Sequence, residues 1–550
     1  MTISGLTGDL NLGQASGSIG SYDLSGDSSI LTVGRTINVG IDGKGTFTQT
    51  GGTVTAAGGL ILGGAVSGDG TYNLSSGSIT TGYEKIGISG TGYFSQSGGK
   101  NTTEDLAVGD EMGGTGSYVL SGSGKLSVSK YDIRVGVKGT GSFTQGSGTE
   151  NTVTRTLVIG QLSGGIGTYT MDGGDLSMGS NLRIGNGAGS NGTFIFNDGT
   201  VSVGGTTYVG NEGTGILNQT GGSLTTASMD VGTKGTGTLT QNGLSSSVNV
   251  TNNLVLGREA GSVGTYNLID GTLLTGAVTV GRSGTGTFTQ TGGIHTATNE
   301  ILIAANPGSL GTYELKGGTL TAANIINNDK FNYSGGNLNA NITNNALGTV
   351  TITGGTPVDP LVVNGNVNSW GLFKLTAANV VYNGTFNNYG DYISDPSTST
   401  FQDLIIKSGG RLIGDADDQF IIAGDFEIDS GGSLNPLIAL TFGPGSHEFM
   451  FTGILTFAQL ILDSNGQLNI IGGLGSVLDV TDFSGDPSDI VNAGSNPVTI
   501  YYDDLNDTGQ GGTVEIPGSG QPVPEPSTLL LLGSGLLGAA GFLRRRFKKN

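Results

Sequence analysis

The chain has no cysteine in 550 residues, which excludes disulfides and thiolate metal sites. It carries a single tryptophan, only 12% charged residues, and two histidines, His295 and His447, that stand isolated from one another. Positive charge is scarcer than negative: 23 Lys and Arg stand against 43 Asp and Glu, and five of the 23 fall in the last seven residues. No basic stripe runs through the body, so no nucleic-acid partner is expected. Glycine, in contrast, is abundant at 106 residues, and Thr, Ser and Asn are common. A hydrophobic content of 35% argues against a disordered acidic chain.

The glycines are periodic. A short apolar tripeptide closed by Gly recurs at Ile37–Gly40, Leu60–Gly63, Leu106–Gly109, Ile133–Gly136, Leu157–Gly160, Leu182–Gly185, Leu254–Gly257 and Val278–Gly281, with weaker copies ending at Gly87, Gly210 and Gly232. The closing residues lie 22 to 27 positions apart, and Ala304 ends the series. Between them lie a GTGTFTQTGG-like element, intact at Gly284–Gly293, and a third short strand such as Thr53–Thr55. Three short strands per period, Gly-rich corners and no segment of helical period predict a right-handed parallel β-helix with coils of about 24 residues.

Side chains alternate along a strand, so stacking the coils assigns faces. One inward column runs Tyr22, Phe47, Tyr72, Phe94, Tyr118, Phe143, Tyr169, Phe194, Leu217, Leu239, Tyr266, Phe288 and Tyr313. Two positions on, Leu24, Gln49, Leu74, Gln96, Leu120 and Gln145 also point inward, and ladders of stacked amides are one way to satisfy the buried glutamines. The residue before each column position is Ser or Thr in eleven of thirteen coils, an outward face. Stacked at about 4.8 Å per coil, these thirteen coils give a rod on the order of 60 Å long.

The repeat occupies residues 1–323. An Asn-rich stretch follows, then a looser repeat at Asp403–Leu412, Asp425–Leu434 and Gln459–Leu468, so 324–484 is expected to continue the solenoid or cap it. Residues 485–522 are rich in Asp, Gly, Asn and Pro and are expected to be a linker.

The final segment, 523–550, is of another kind. Pro524 and Pro526 forbid helix up to Glu525, Ser527 is suited to cap a helix, and Thr528 to Leu543 contains seven Leu and no charge. Arg544, Arg545, Arg546, Lys548 and Lys549 follow at once. This pattern predicts a single hydrophobic helix in the inner-membrane lipid with its basic end cytoplasmic. Val523, Pro524, Glu525 and Pro526, the apolar run and the basic cluster together resemble the PEP-CTERM sorting domain of Gram-negative bacteria. That resemblance implies export, transient anchoring in the inner membrane, processing near Pro-Glu-Pro by the membrane transpeptidase exosortase, and a destination at the cell surface or in an exopolysaccharide matrix. Met1 to Gly40 holds no basic n-region, apolar h-region or cleavage site, so the export signal is expected upstream of Met1. In style, the body resembles the β-strand-repeat rods of bacterial surface proteins and pectate-lyase-like solenoids.

Three function classes follow. The first is a non-enzymatic structural or adhesive surface protein without cofactor, metal or catalytic residues. The second is a polysaccharide-binding or polysaccharide-cleaving β-helix enzyme, which would need carboxylates and basic residues gathered on one face. Arg35, Arg258 and Arg282 each follow a strand-ending Gly and are expected to be solvated turn residues. Asp415, Asp417, Asp418, Asp503, Asp504 and Asp507 are the acidic positions nearest to a calcium set, though their spacing matches no calcium loop. The third class, an ice-binding surface, would use outward Thr rows such as Thr287, Thr289 and Thr291. Asp23, Val119, Ile195 and Glu314 interrupt the row that follows the aromatic column.

Overall fold

The computed structural model describes residues 2–505 and 512–516, and these form a parallel β-solenoid with no α-helix. No helix among them is long and apolar enough to cross a membrane. The hydrophobic helix expected after Ser527, and with it the sorting residues Val523–Pro526 and the basic cluster Arg544–Lys549, lies outside the described residues. The fold divides into two compact units. One contains the described residues up to Ile325 with Asp329–Phe331; the other contains Ile326–Asn328 and the described residues from Asn332 onward.

A coil of the first unit is built from three strands, for example Thr140–Gln145, Glu150–Val153 and Leu157–Ile159. In the first of these Gly141, Phe143 and Gln145 are buried while Thr140, Ser142 and Thr144 face outward, as the period of two requires. Each strand pairs in parallel with its counterparts in the coils before and after. The column from Tyr22 to Tyr313 is in register through all thirteen coils, including Leu217 and Leu239. From Phe47 to Tyr169 successive rings lie 4.6 to 4.9 Å apart and within 15° of parallel. Burying such a ring contributes about 1.5–3 kcal/mol, and each stacked pair about 0.5–1.5 kcal/mol more.

The tripeptide ends where the chain turns a corner against the next coil. Gly160 has φ +71°, and a Cβ there would sit 2.2 Å from the Asn191 carbonyl oxygen. The same place in the last repeat is held by Ala304, one of two non-glycine residues in the left-handed region among the described residues, at φ +56°.

The buried glutamines do not form an amide ladder. Gln and aliphatic residues occupy alternate coils, so a glutamine rarely has another beside it. Instead, the tyrosine hydroxyl of the following coil donates to the glutamine Oε1: Tyr72 to Gln49 at 2.6 Å, Tyr118 to Gln96 at 2.6 Å, Tyr169 to Gln145 at 2.5 Å, Tyr266 to Gln241 at 2.7 Å and Tyr313 to Gln290 at 2.9 Å. The amide nitrogens donate to backbone carbonyls at the corner, as Gln96 does to Gly99 and Lys125. The repeating unit is therefore a pair of coils. A Phe–Gln coil supplies the amide and a Tyr–Leu coil supplies the hydroxyl that satisfies it.

The second unit uses other means. Ile342, Val367, Phe386, Leu404, Phe426, Phe449 and Ile470 occupy one row at intervals of 18 to 25 residues. Phe386 meets Phe373, Tyr382, Tyr392 and Phe401 edge-on at 78° to 88°. Amide ladders occur here: Asn383 donates to Asn364 at 2.7 Å and Asn364 to Asn339 at 2.9 Å. The looser repeat has two members rather than three. Leu404 and Phe426 share a row, whereas Leu460 pairs with Leu440 in a different one. The segment expected to be a linker contributes strands Ile490–Asn492, Val498–Leu505 and Gly512–Ile516, the last antiparallel to its neighbour. Its turn-rich composition conceals the alternation of Val498, Ile500 and Tyr502 that a strand needs.

Candidate binding face along the third strands

The outward residue of the third strand lies at the centre of each tripeptide. In register these positions run Lys85, Ala107, Arg134, Val158, Arg183, Tyr208, Asp230 and Val255. Although they point out of the coil, Ala107, Val158, Asp230 and Val255 are 0% to 4% exposed. Outward second-strand residues such as Thr80, Thr152, Ser177 and Ser202 are exposed, so the third face is recessed where the second is open. An open pocket of about 590 Å³ lies at one end, lined by Tyr83, Lys85, Glu104, Asp105, Tyr131 and Arg134 among others. Gly58 and Gly82 also line it.

Charges on this face are tied from coil to coil. Lys85 contacts Asp110 at 2.7 Å, Lys130 contacts Glu104 at 3.0 Å, and Arg134 is bonded to Asp105. Burial holds the Asp105 carboxyl above the usual carboxylate range, against the pull of Arg134. Arg258 grips the buried Asp230 with two hydrogen bonds of 2.7 and 2.5 Å. It is therefore an anchored ion pair, not the solvated turn residue that its place after Gly257 suggested. Arg183 is in no ion pair among the described residues; its Nη1 donates to Asn186 Oδ1 at 3.4 Å, and its guanidinium lies over the Tyr208 ring, 5.6 Å from the centroid. Four of the ten buried side-chain polar atoms without a hydrogen-bond partner sit on this face or its flank, namely Arg134 Nε, Gln161 Oε1, Arg183 Nε and Thr233 Oγ1. These atoms are themselves out of reach of solvent, so leaving them unpaired is a cost of packing along this face. The sequence held a signal for it: Lys85, Arg134 and Arg183 recur at intervals of 49 residues, two coils each.

Other polar groups lie within the core. Glu84 is fully buried, with Thr81 and Asn101 donating to its carboxylate at 3.2 and 3.0 Å, and burial pushes its pKa up to about 7. His295 lies among the rings of Phe288 and Tyr313, faces the hydroxyls of Thr275 and Tyr313, and is held by burial down at about 3. The Tyr313 proton goes to Gln290, so Nδ1 of His295 is the protonated nitrogen. His447 lies between the carbonyls of Gly424 and Gly443, at 2.7 and 2.8 Å. Asp418 accepts from Ser394, Ser397 and Asp415 and so caps a turn. Side chains of Asp503 and Asp504 are not described, and Asp507 lies outside the described residues. Among those described, no group of three or more His, Asp or Glu converges to hold a metal ion. Trp370 stacks on Tyr389 at 4.5 Å, so each ring occupies one face of the other.

Residues 522–546 match the PEP-CTERM protein-sorting motif. This motif implies an exported surface protein directed to exosortase for processing, passing the membrane before surface display. No curated protein and no solved structure matches the chain.

Proposed function

We propose that the protein is a non-enzymatic structural or adhesive component of the cell surface or extracellular matrix. The apolar run Thr528–Leu543 holds it in the inner membrane during export, with Arg544–Arg546 and Lys548–Lys549 on the cytoplasmic side, until exosortase cuts near Val523–Pro526. The match of residues 522–546 to the sorting motif carries this reading. The solenoid supports it, since its stability comes from neighbouring coils and length is added without a larger globular core. Its place is in or on an exopolysaccharide matrix, where a Ser- and Thr-faced solenoid works as a spacer.

The test is expression in a host with and without an exosortase. With the enzyme, intact mass should show loss of the tail and release from the membrane. Replacing Pro524 and Pro526 together by Ala should leave the full chain membrane-bound. A wild-type chain that keeps its tail in the presence of the enzyme would overturn the proposal. Incubation with polysaccharides should yield no new reducing or unsaturated ends; their appearance would restore the enzymatic alternative.

A further inference from the structure

We propose that the open pocket at Tyr83 and Tyr131 binds a neutral pyranose unit of a linear polysaccharide. Its volume of about 590 Å³ falls in the ~300–1,000 Å³ range of small-ligand sites. The floor comes from a tyrosine that lies along the stack of coils. In its row Gly59 stands one coil before Tyr83, and Thr36 two coils before. A Cβ on Gly59 would fall 2.6 Å from the Tyr83 ring, and the Tyr83 hydroxyl reaches the Thr36 hydroxyl at 3.4 Å. The ring therefore covers the bare backbone of Gly59 and offers apolar surface to the pocket. Tyr131, 42% exposed, borders the same pocket from further along the stack. Two aromatic rings with polar tips suit the C–H faces and the hydroxyls of a sugar.

The charges decide the class of ligand. Every charged residue that lines the pocket is in an ion pair: Lys85 with Asp110, Glu104 with Lys130, Asp105 with Arg134, and Asp132 with Arg155 at 4.0 Å. The pairs sum to zero, so the pocket offers no free charge to a polyanion or a polycation. They do keep hydrogen-bonding capacity, since a carboxylate accepts at about four lone-pair positions and an ammonium donates three times. Adjacent sugar hydroxyls can donate to the carboxylate and accept from the cation of one pair. Because each pair is already held, little side-chain freedom is left to lose on binding. The site is open, which lets an internal unit of a chain enter it. The proposal gives the adhesive role above a ligand class but rests on this pocket alone, so exosortase processing can fail without touching it.

The experiment is isothermal titration of the full chain in micelles of a sugar-free detergent. The neutral probes are cellohexaose, mannohexaose, xylohexaose and isomaltohexaose; the charged ones are the galacturonate hexamer and the chitosan hexamer. At least one neutral probe should bind, and its affinity should change less than about threefold between about 50 mM and about 500 mM salt. Tyr131→Ala should weaken that binding about tenfold or more, Tyr131→Phe, which keeps the ring, less, and Tyr93→Ala, an exposed tyrosine on the first-strand face, not at all. Circular dichroism establishes that each variant is folded. No binding of a neutral probe up to about 5 mM, tighter binding of a charged probe than of every neutral one, or unchanged affinity in Tyr131→Ala would each overturn the proposal. Should Tyr131→Ala fail to fold, Tyr83→Leu provides the same reading from the floor of the pocket.

Discussion

The two units satisfy polar side chains differently: the first pairs unlike residues in its core, while the second runs an asparagine ladder along its outer face, a device the first uses only between single neighbouring coils, as from Asn38 to Asn11 at 2.8 Å. In the second unit like residues stack on like, and Asn339, Asn364 and Asn383 pass one hydrogen bond from coil to coil. In the first unit unlike residues alternate, and the buried Gln49, Gln96, Gln145, Gln241 and Gln290 each accept from the tyrosine of the next coil. A ladder tolerates variation in coil length because it asks only for a neighbour. An alternating pair demands fixed register over two coils at a time. Regularity of this kind makes the first unit the more brittle.

The sharpest way to break that comparison is at the corners. Gly160→Ala should cost about 3 kcal/mol or more, since the left-handed backbone is strained for Ala and the new Cβ meets the Asn191 carbonyl at 2.2 Å. Gly409→Ala in the second unit has φ +87° but its nearest neighbour, the Tyr389 carbonyl, is 3.9 Å away, so only about 1–2 kcal/mol of backbone strain is expected. Denaturant titrations followed by circular dichroism and by Trp370 fluorescence separate the units, because the single Trp reports on the second. Equal losses would show that the two kinds of corner are alike.

Next in size is the response to pH. Glu84 has an ordinary value of 4.5 and a folded value of about 7, so the native state holds the extra proton in between and stability falls as pH rises through that window, by roughly 3 kcal/mol. His295 has the opposite sign. Its value drops from 6.5 to about 3, the unfolded chain takes the proton first, and stability rises with pH from about 3 to 6.5. The two slopes oppose each other between pH 4.5 and 6.5. Over that interval, Glu84→Gln should give stability that rises with pH, and His295→Gln should give stability that falls. Parallel profiles for wild type and both variants would remove these groups as the source.

Removing one hydroxyl comes third. Tyr118→Phe leaves Gln96 Oε1 without its donor and Asn101 without one acceptor, at a cost of about 1–3 kcal/mol. Adding Gln96→Leu should recover part of the loss by removing the stranded group. A double variant that loses the sum of the two single effects would mean that the pair is not coupled.

Much of this was legible in the residues, and the failures have physical reasons. The aromatic column and the closing glycines could be read from period alone, because sterics at the corner and stacking at the core both demand one residue type in every coil. The fate of Gln49 and Gln96 could not, since sequence shows which residues share a face but not which hydroxyl in the next coil reaches them. The row of Lys85, Arg134 and Arg183 escaped notice because it recurs every second coil, at 49 residues, while the reading followed a period near 24. The likeness of Gln459–Leu468 to Asp403–Leu412 misled for the converse reason: strands on different faces obey the same alternation.

The smallest expected effect is a gain, and it tests the alternating pair most directly. Gln219 donates to the carbonyls of Gly221, Gly222 and Ser247, yet its Oε1 has no partner, and the column residue one coil on is Leu239 where other pairs have Tyr. Leu239→Tyr places a hydroxyl where Tyr72 and Tyr118 place theirs, between Leu217 and Tyr266 in the column. Leu239→Phe adds the same ring without the donor, so the difference between the two variants isolates the hydrogen bond. The tyrosine variant should be the more stable by about 1 kcal/mol. If the phenylalanine variant matches it, the alternation of Tyr and Gln reflects ring packing alone, and the contrast with the asparagine ladders loses its basis.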